Sequence, residues 1–479
     1  MANEFIIKNG FHSKGDSQVT GSLTATSFSG DGSALTNLPA ASANNFGIAQ
    51  GSGSFTYYSS LSSSMAAATS GDTVQMFSDY VERTSSVSLK DGVTLDGNGF
   101  TYTFSGSGTQ NALEETSAAT STIYLNNLIV KRIGGAAAST TENLALYVGA
   151  SNQDKTLYNQ NVLMENDSGC AITATGGGSG NNKVYDITAR GTTYGIYFSY
   201  GYLYHSKGYA TTGTGIYGSS NSGRLYQSYG ESEDGVGIYA AEKAENCVGV
   251  SGESYGLQVA IPSTNGSVID CIGISAGTGG GDAGIYNTST SGILQDCEGY
   301  GNAGPGIYTQ LPVEIVNCTG NSKSGYGIYL RNANAKAINC HAHSVSSYAA
   351  YSQDGGKFLD CSFYAQAQHG ILIANSSTDI IGCSIEVEDA SKNCIYAASS
   401  YDIDLAANVY KGATTAVNAN LTNVCTNVPD EQGNIHVTSS VNNDRIYSGS
   451  FSGSYVGDGS GLTNLPASSV LTSSYTSEW

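Results

Sequence analysis

Seven cysteines recur at a nearly constant interval. Cys247, Cys271, Cys297, Cys318, Cys340, Cys361 and Cys383 are separated by 24, 26, 21, 22, 21 and 22 residues. Thiols in a chain can ligate metal, pair as disulfides or act as nucleophiles, and this spacing suits none of the three. No CxxC pair occurs, and His341 and His343 beside Cys340 are the nearest approach to a zinc-type cluster. A disulfide between cysteines stacked in register would need a dihedral that such a column does not offer. The expectation is free thiols, with this column buried as small apolar groups; Ser228 and Ser206 extend it upstream at intervals of 19 and 22 residues.

Carboxylates raise a second possibility. Asn246, Asp270, Asp296, Asn317, Asn339 and Asp360 each precede a cysteine of the column, so Asp270 and Asp296 would lie on neighbouring repeats. Carboxyl groups about 5 Å apart are what a retaining glycosidase uses. A column that mixes Asp with Asn points instead to side chains holding a corner turn. The groups Glu231, Glu233, Asp234 and Glu386, Glu388, Asp389 could bind calcium or supply an acid and a base, but acidic residues on solvent-facing strand positions are commonplace. No catalytic residue, metal ligand or cofactor is assigned from them.

The third pattern is aromatic. Gly-Ile-Tyr ends at Tyr197, Tyr217, Tyr239, Tyr286, Tyr308 and Tyr329, with Cys394-Ile395-Tyr396 as a degenerate copy. If Ile faces a core, strand alternation turns the adjacent Tyr outward and builds an aromatic column on one face. These six tyrosines are the candidate carbohydrate-binding residues; contact with another subunit, or simple stabilisation of the sheet face, are the other uses of such a column.

These phrases dictate the elements. Gly-Ile-Tyr and the cysteine phrase alternate at half-periods, giving two short strands per repeat of 19–28 residues, with Gly, Asn and Ser at the corners and no helical periodicity. A parallel β-helix fits: each strand pairs with its equivalent one coil away, roughly 4.8 Å along the axis, so like side chains stack into ladders. Ahead of it, Leu61 to Ala68 reads as a short helix that caps the first coil, followed by Thr73-Val74-Gln75-Met76-Phe77 and Val93-Thr94-Leu95-Asp96-Gly97-Asn98-Gly99.

Composition agrees with many turns and short strands. In 479 residues there are 62 Gly and 33 Tyr, 6 Pro and 1 Trp, and hydrophobic types reach 39%. The net charge of −20 repels phosphate backbones and anionic lipid, which argues against a nucleic-acid partner. No apolar stretch has the length of a membrane span or of a signal-peptide core, so a protein made in a cytoplasm without membrane insertion is expected.

Two resemblances follow. The helix, Gly71-Asp72-Thr73-Val74 and Val93 to Gly99, with Asn127-Leu128-Ile129-Val130 as the next strand, resemble the opening coils of pectate-lyase-like right-handed β-helices, a likeness of fold over about residues 55–425. The second rests on a phrase found twice. Phe28 to Ala40 returns as Tyr455 to Ala467 with ten of thirteen positions identical, Asp31-Gly32-Ser33 matching Asp458-Gly459-Ser460. With Val19 to Ser27 before it, this phrase resembles shaft and linker segments of bacteriophage tail fibres and tailspikes; similar phrases occur in bacterial trimeric adhesins.

The expectation is thus an all-β chain with a terminal attachment module at 1–45, a right-handed parallel β-helix at 46–430 and a second fibre module at 431–479. The resemblance implies a parallel homotrimer in a virion tail, assembled in the host cytoplasm, contacting other tail or baseplate proteins and a host surface polysaccharide or protein receptor. The terminal modules are sparse in apolar residues: Phe5, Ile6, Phe28, Leu35 and Leu38 at one end, Tyr447, Phe451, Tyr455, Leu462 and Leu465 at the other. They need partners to fold. A tailspike depolymerase and a bacterial surface adhesin are the alternatives.

Overall fold

The computed structural model describes residues 44–49, 54–106, 108–135, 140–149, 153–175, 182–219, 223–261, 266–289, 292–399 and 403–418, together with the backbone of Asn427–Pro429 and Ile435–Val437. Contacts divide the chain into Met1–Ala43 and Asn44–Trp479. The first unit, both copies of the repeated phrase and nearly all of the expected terminal modules lie outside the described residues. Asn427–Pro429 and Ile435–Val437 pair as an antiparallel hairpin.

The described residues of the second unit up to 418 form a parallel β-helix. One ladder holds fourteen strands, from Val87–Ser88 to Ile395–Ala397, and each Gly-Ile-Tyr phrase supplies one of them. Pairing is parallel and in register, as in Ile285↔Ile307 and Ile307↔Ile328. The isoleucines are fully buried, and the tyrosines beside them are half-exposed, as alternation requires.

Each regular coil contains three strands, where sequence reading expected two. In one coil these are Ile307–Thr309, Glu314–Val316 and Thr319–Ser322. The cysteine phrase is the corner between the second and third strands, and a strand of only four residues with a Gly at its inward position carried no apolar signal. In the early coils these two strands are continuous, as in Ser121–Arg132 and Lys155–Asn166.

The corner explains the Asx–Cys pairs. Asn246, Asp270, Asp296, Asn317, Asn339 and Asp360 all have φ between 51° and 54°, in the left-handed region that Asn and Asp tolerate best among non-glycine residues. The turn aims the next residue's N–H along the axis, where the following coil's side chain accepts it. Cys340 N–H donates to Cys361 Sγ at 3.4 Å, and Cys361 N–H to Cys383 Sγ at 3.4 Å. Ser206 N–H donates to Ser228 Oγ at 3.3 Å in the same column. Asn408 ends it, its Oδ1 accepting from Cys383 N–H at 2.8 Å.

The N-terminal end is closed by more than the expected helix. Leu61–Ala67 is helical, capped by Ser60, whose side chain accepts from Ser63 N–H, and it buries Leu61 and Met65. Lys90 donates to the carbonyls of Ala66 at 2.6 Å and Ala68 at 2.9 Å, satisfying orphan acceptors at the helix end. Beyond this, Phe46–Ala49 pairs antiparallel with both Thr73–Met76 and Phe55–Tyr58, so the first parallel strand is not left as an open edge.

Charges also enter the core, which sequence reading did not foresee. Lys155 and Glu115, 1% and 2% exposed, pair at 2.9 Å. Arg132 is equally buried, with Nη2 donating to Gly108 O at 2.9 Å and its guanidinium 4.8 Å from the Phe104 ring centre. Backbone carbonyls accept from the two cations, while Ser121 Oγ, Ser117 N–H and Lys155 donate to Glu115, which keeps such burial from being prohibitive.

Candidate carbohydrate-binding surface

The predicted tyrosine column exists, in two runs. Tyr197, Tyr217 and Tyr239 pair in register, Gln258 occupies the next coil, and Tyr286, Tyr308 and Tyr329 follow, continued by Tyr351. Tyr396 stands apart, separated from Tyr351 by Leu372. Ring centres lie 5.3 Å apart for Tyr197–Tyr217, 4.6 Å for Tyr217–Tyr239 and 4.5 Å for Tyr308–Tyr329, with planes within 15°.

This stacking changes what the column can offer a ligand. Sugar rings pack on aromatic faces, and within each run the faces are covered by neighbouring tyrosines. Edges and hydroxyls are what remain. Tyr286 donates its hydroxyl to Gln310 Oε1 at 2.5 Å, and Arg331 Nη1 donates to Tyr308 Oη at 3.3 Å. Burial, reinforced by the neighbouring phenols, pushes the Tyr217 and Tyr286 hydroxyls above their ordinary pKa.

A second tyrosine ladder escaped the sequence reading. Tyr124, Tyr158, Tyr185, Tyr204 and Tyr226 stack at 5.6, 4.9, 4.7 and 5.1 Å on the outward side of the second strand. Their sequence intervals of 34, 27, 19 and 22 residues hide the repeat. The irregularity is informative, because it marks a change of coil size. Tyr158 pairs with Tyr185 and Val162 with Ile187, so the earlier coil spends two extra residues at the corner.

That step opens a surface groove of about 580 Å³. It is lined by Asn159, Gln160, Asn161, Val162 and Leu163 of the wide coil, by Asp186, Thr188 and Arg190 of the next, and by His205 and Lys207 of the one after. Asp186 and His205 hold left-handed corners, at φ 56° and 50°. Their side chains meet across one coil spacing, His205 Nδ1 lying 3.4 Å from Asp186 Oδ1. Glu165 sits between Lys131 at 3.1 Å and Arg190 at 3.8 Å.

The acidic candidates resolve differently. Asp270 and Asp296 stand at left-handed corners, which accounts for their residue type without a reaction. Glu231 Oε2 accepts from Tyr229 Oη at 2.7 Å, and Glu388 Oε2 from Tyr364 Oη at 3.0 Å. Asp389 accepts from Ser391 N–H at 2.9 Å and from its hydroxyl at 2.7 Å, bonds that lower its pKa. His343 stacks on Tyr364 at 5.2 Å, and burial lowers its pKa, whereas Cys340 points to the interior. Among the described residues no group of three or more His, Cys, Asp or Glu side chains is placed to hold a metal ion, and nine cysteines are free and buried.

No family model and no curated protein matches the chain. Among solved structures, the A-module of Azotobacter vinelandii mannuronan C-5 epimerase AlgE6 is similar at 12% identity, covering 76% of this chain and 92% of that one, with a TM-score of 0.23. The A-module of the AlgE4 epimerase of the same organism is similar at 14% identity over 75% and 93%, with a TM-score of 0.27. At these values the likeness adds nothing to the parallel β-helix that the strand pairing itself establishes.

Proposed function

We propose that this chain is a structural and receptor-binding fibre subunit, its β-helix supplying a stiff repetitive shaft whose outward face adheres to a host-surface glycan without cleaving it. The observation that carries the reading is the unbroken stack of coils with like residues in register. Such a stack places one outward row of side chains at every coil, which suits a long repetitive ligand better than a single small molecule. The repeated terminal phrase and its resemblance to tail-fibre shafts support a virion tail as the location and a homotrimer as the assembly.

One observation favours a second reading, a depolymerase of surface polysaccharide: the groove at the coil step carries Asp186, His205 and Arg190 side by side. Incubating the purified chain with capsular polysaccharide separates the two readings. Binding without new reducing ends or unsaturated products is the expected result. Release of oligosaccharides, abolished in Asp186→Asn, would establish the enzyme instead.

A further inference from the structure

We infer that the groove at the coil step is a binding site for an anionic glycan, one bearing carboxylates along its chain. The inference rests on the glycan-binding reading proposed above and narrows it to one place and one charge class.

The local charge runs against that of the whole. The chain carries −20, yet the groove is lined by Arg190 and Lys207 against Asp186, with Glu165 beside it on the outward row between Lys131 and Arg190. Glu165 is shared between Lys131 and Arg190, so it neutralises one of them. Asp186 lies 3.4 Å from His205 Nδ1, a contact that offsets its charge only when the imidazole is protonated, so it otherwise balances one of the two cations. Lys207 is exposed and forms no ion pair among the described residues. An anion entering the groove therefore meets uncompensated positive charge, and Arg190 is steadied at the rim by lying 5.4 Å from the Tyr209 ring centre.

The lining mixes polar side chains with Val162 and Leu163. Asn159 is only 6% exposed; its Nδ2 donates to Tyr185 O at 2.7 Å, and its Oδ1 has no protein partner. That acceptor is closed off from solvent and lies at an inward position in register with Leu125, so the hydrogen-bonding groups a ligand meets are those of the rim. Gln160, Asn161 and Thr188 are such groups. Tyr158, Tyr185 and Tyr204 immediately precede Asn159, Asp186 and His205, so the second ladder borders the groove along the axis. Coils rise by roughly 4.8 Å, near the length of one pyranose in an extended chain, so successive sugars can meet successive coils. A nucleic acid is the other polyanion to consider; its charges are spaced more densely than one carboxylate per sugar, so the net charge of −20 repels it more strongly.

The test is calorimetric titration of the full chain with oligogalacturonate, its fully methyl-esterified form and a single-stranded DNA oligomer. The expected result is salt-sensitive binding of the acid form, at least tenfold weaker in the Arg190→Gln, Lys207→Gln double variant, unchanged in Lys336→Gln, and lost for the ester. Both substituted residues are exposed, and an unchanged melting curve confirms that the variants fold. Acid-form binding that ignores the double variant, or DNA binding of equal strength that the same variant abolishes, overturns the inference. If neutral glycans bind while the acid form does not, this inference fails and the broader reading stands. If no glycan in a surface-polysaccharide panel binds, both fail.

Discussion

At the scale of single residues, the corner decides which side chains recur. A left-handed Asx or an equivalent residue turns the chain, and the residue after it must both donate and accept. Cys361 Sγ donates to Leu359 O at 3.2 Å while accepting from Cys340 N–H at 3.4 Å, and Ser206 and Ser228 perform the same double role upstream. Cysteine suits this place because it is small and apolar yet keeps a weak donor and acceptor. Cys361→Ser is therefore expected to fold with little loss, while Cys361→Ala leaves the Cys340 N–H without its partner and costs on the order of 1–3 kcal/mol. Denaturant melts of the two variants check this, and equal stability would remove the hydrogen-bond role. All nine described thiols are buried away from reagents, and burial pushes the two outside the column up as well, Cys170 to about 12 and Cys394 to about 11. Native protein is expected to resist thiol reagents, with nearly all ten cysteines titrating once it is denatured without reductant.

At the scale of the strand, glycine sets how closely the ladders approach. A Cβ on Gly299 would stand 2.1 Å from Gly306 O, and one on Gly306 would stand 2.4 Å from Asn321 N. The first and third strands are thus pinched together, which is why Gly precedes Ile in the repeated phrase. Downstream the inward position of the third strand changes from Gly320 to Ala342, Phe363 and Ile385, and the pinch is filled by side chains instead. Gly299→Ala is expected to destabilise by about 1–3 kcal/mol, the range for overpacking. Ile307→Asp is expected to be far worse, placing an unpaired carboxylate between Ile285 and Ile328, whereas Tyr308→Ser is mild. Thermal melts rank the three, and an Asp variant that melts like the parent inverts the inward and outward assignment.

The outward strand positions carry their own pH dependence. Tyr217, Tyr286 and Tyr329 have hydroxyl pKa values raised by burial first and by adjacent phenols second. A raised folded pKa means that their contribution is complete below the unfolded value of 10.0 and is lost as pH climbs through the folded values. Stability is expected to fall in that alkaline window, with part of the phenolate absorbance appearing late. Uniform titration of all 33 tyrosines at the ordinary phenol value contradicts the stacked ladders.

At the scale of the whole molecule, stability comes from neighbours in the stack. Each coil buries little alone, so interior substitutions act on two interfaces and terminal ones on one. The described β-helix covers its own core within one chain, and in the proposed homotrimer threefold symmetry would bury the few apolar residues of 1–45 and 431–479 three times over. The intact chain is expected to be a trimer by light scattering, and a 46–430 fragment a folded monomer. A monomeric intact chain at micromolar concentration, or a fully trimeric fragment, contradicts this.

Much of the architecture was legible in the residues themselves. A repeat that alternates Ile with Tyr and spaces cysteines by a coil can be satisfied only by parallel stacking, because strand alternation forces one face inward and equal spacing forces like onto like. The buried thiols and the outward tyrosine column follow from that, whereas its division into two runs at Gln258 came from the strand register. What the spacing could not carry was anything made by contact between unlike coils. The third strand lacks an apolar signal because its inward residue is Gly, chosen by the opposite wall. The second tyrosine ladder and the groove arise where a wide corner meets a narrow one, so Asn159, Asp186, Arg190, His205 and Lys207 come together from three coils with no shared motif. Local chemistry decides the repeat; only tertiary packing decides where the repeat changes width, and that is where the candidate site lies.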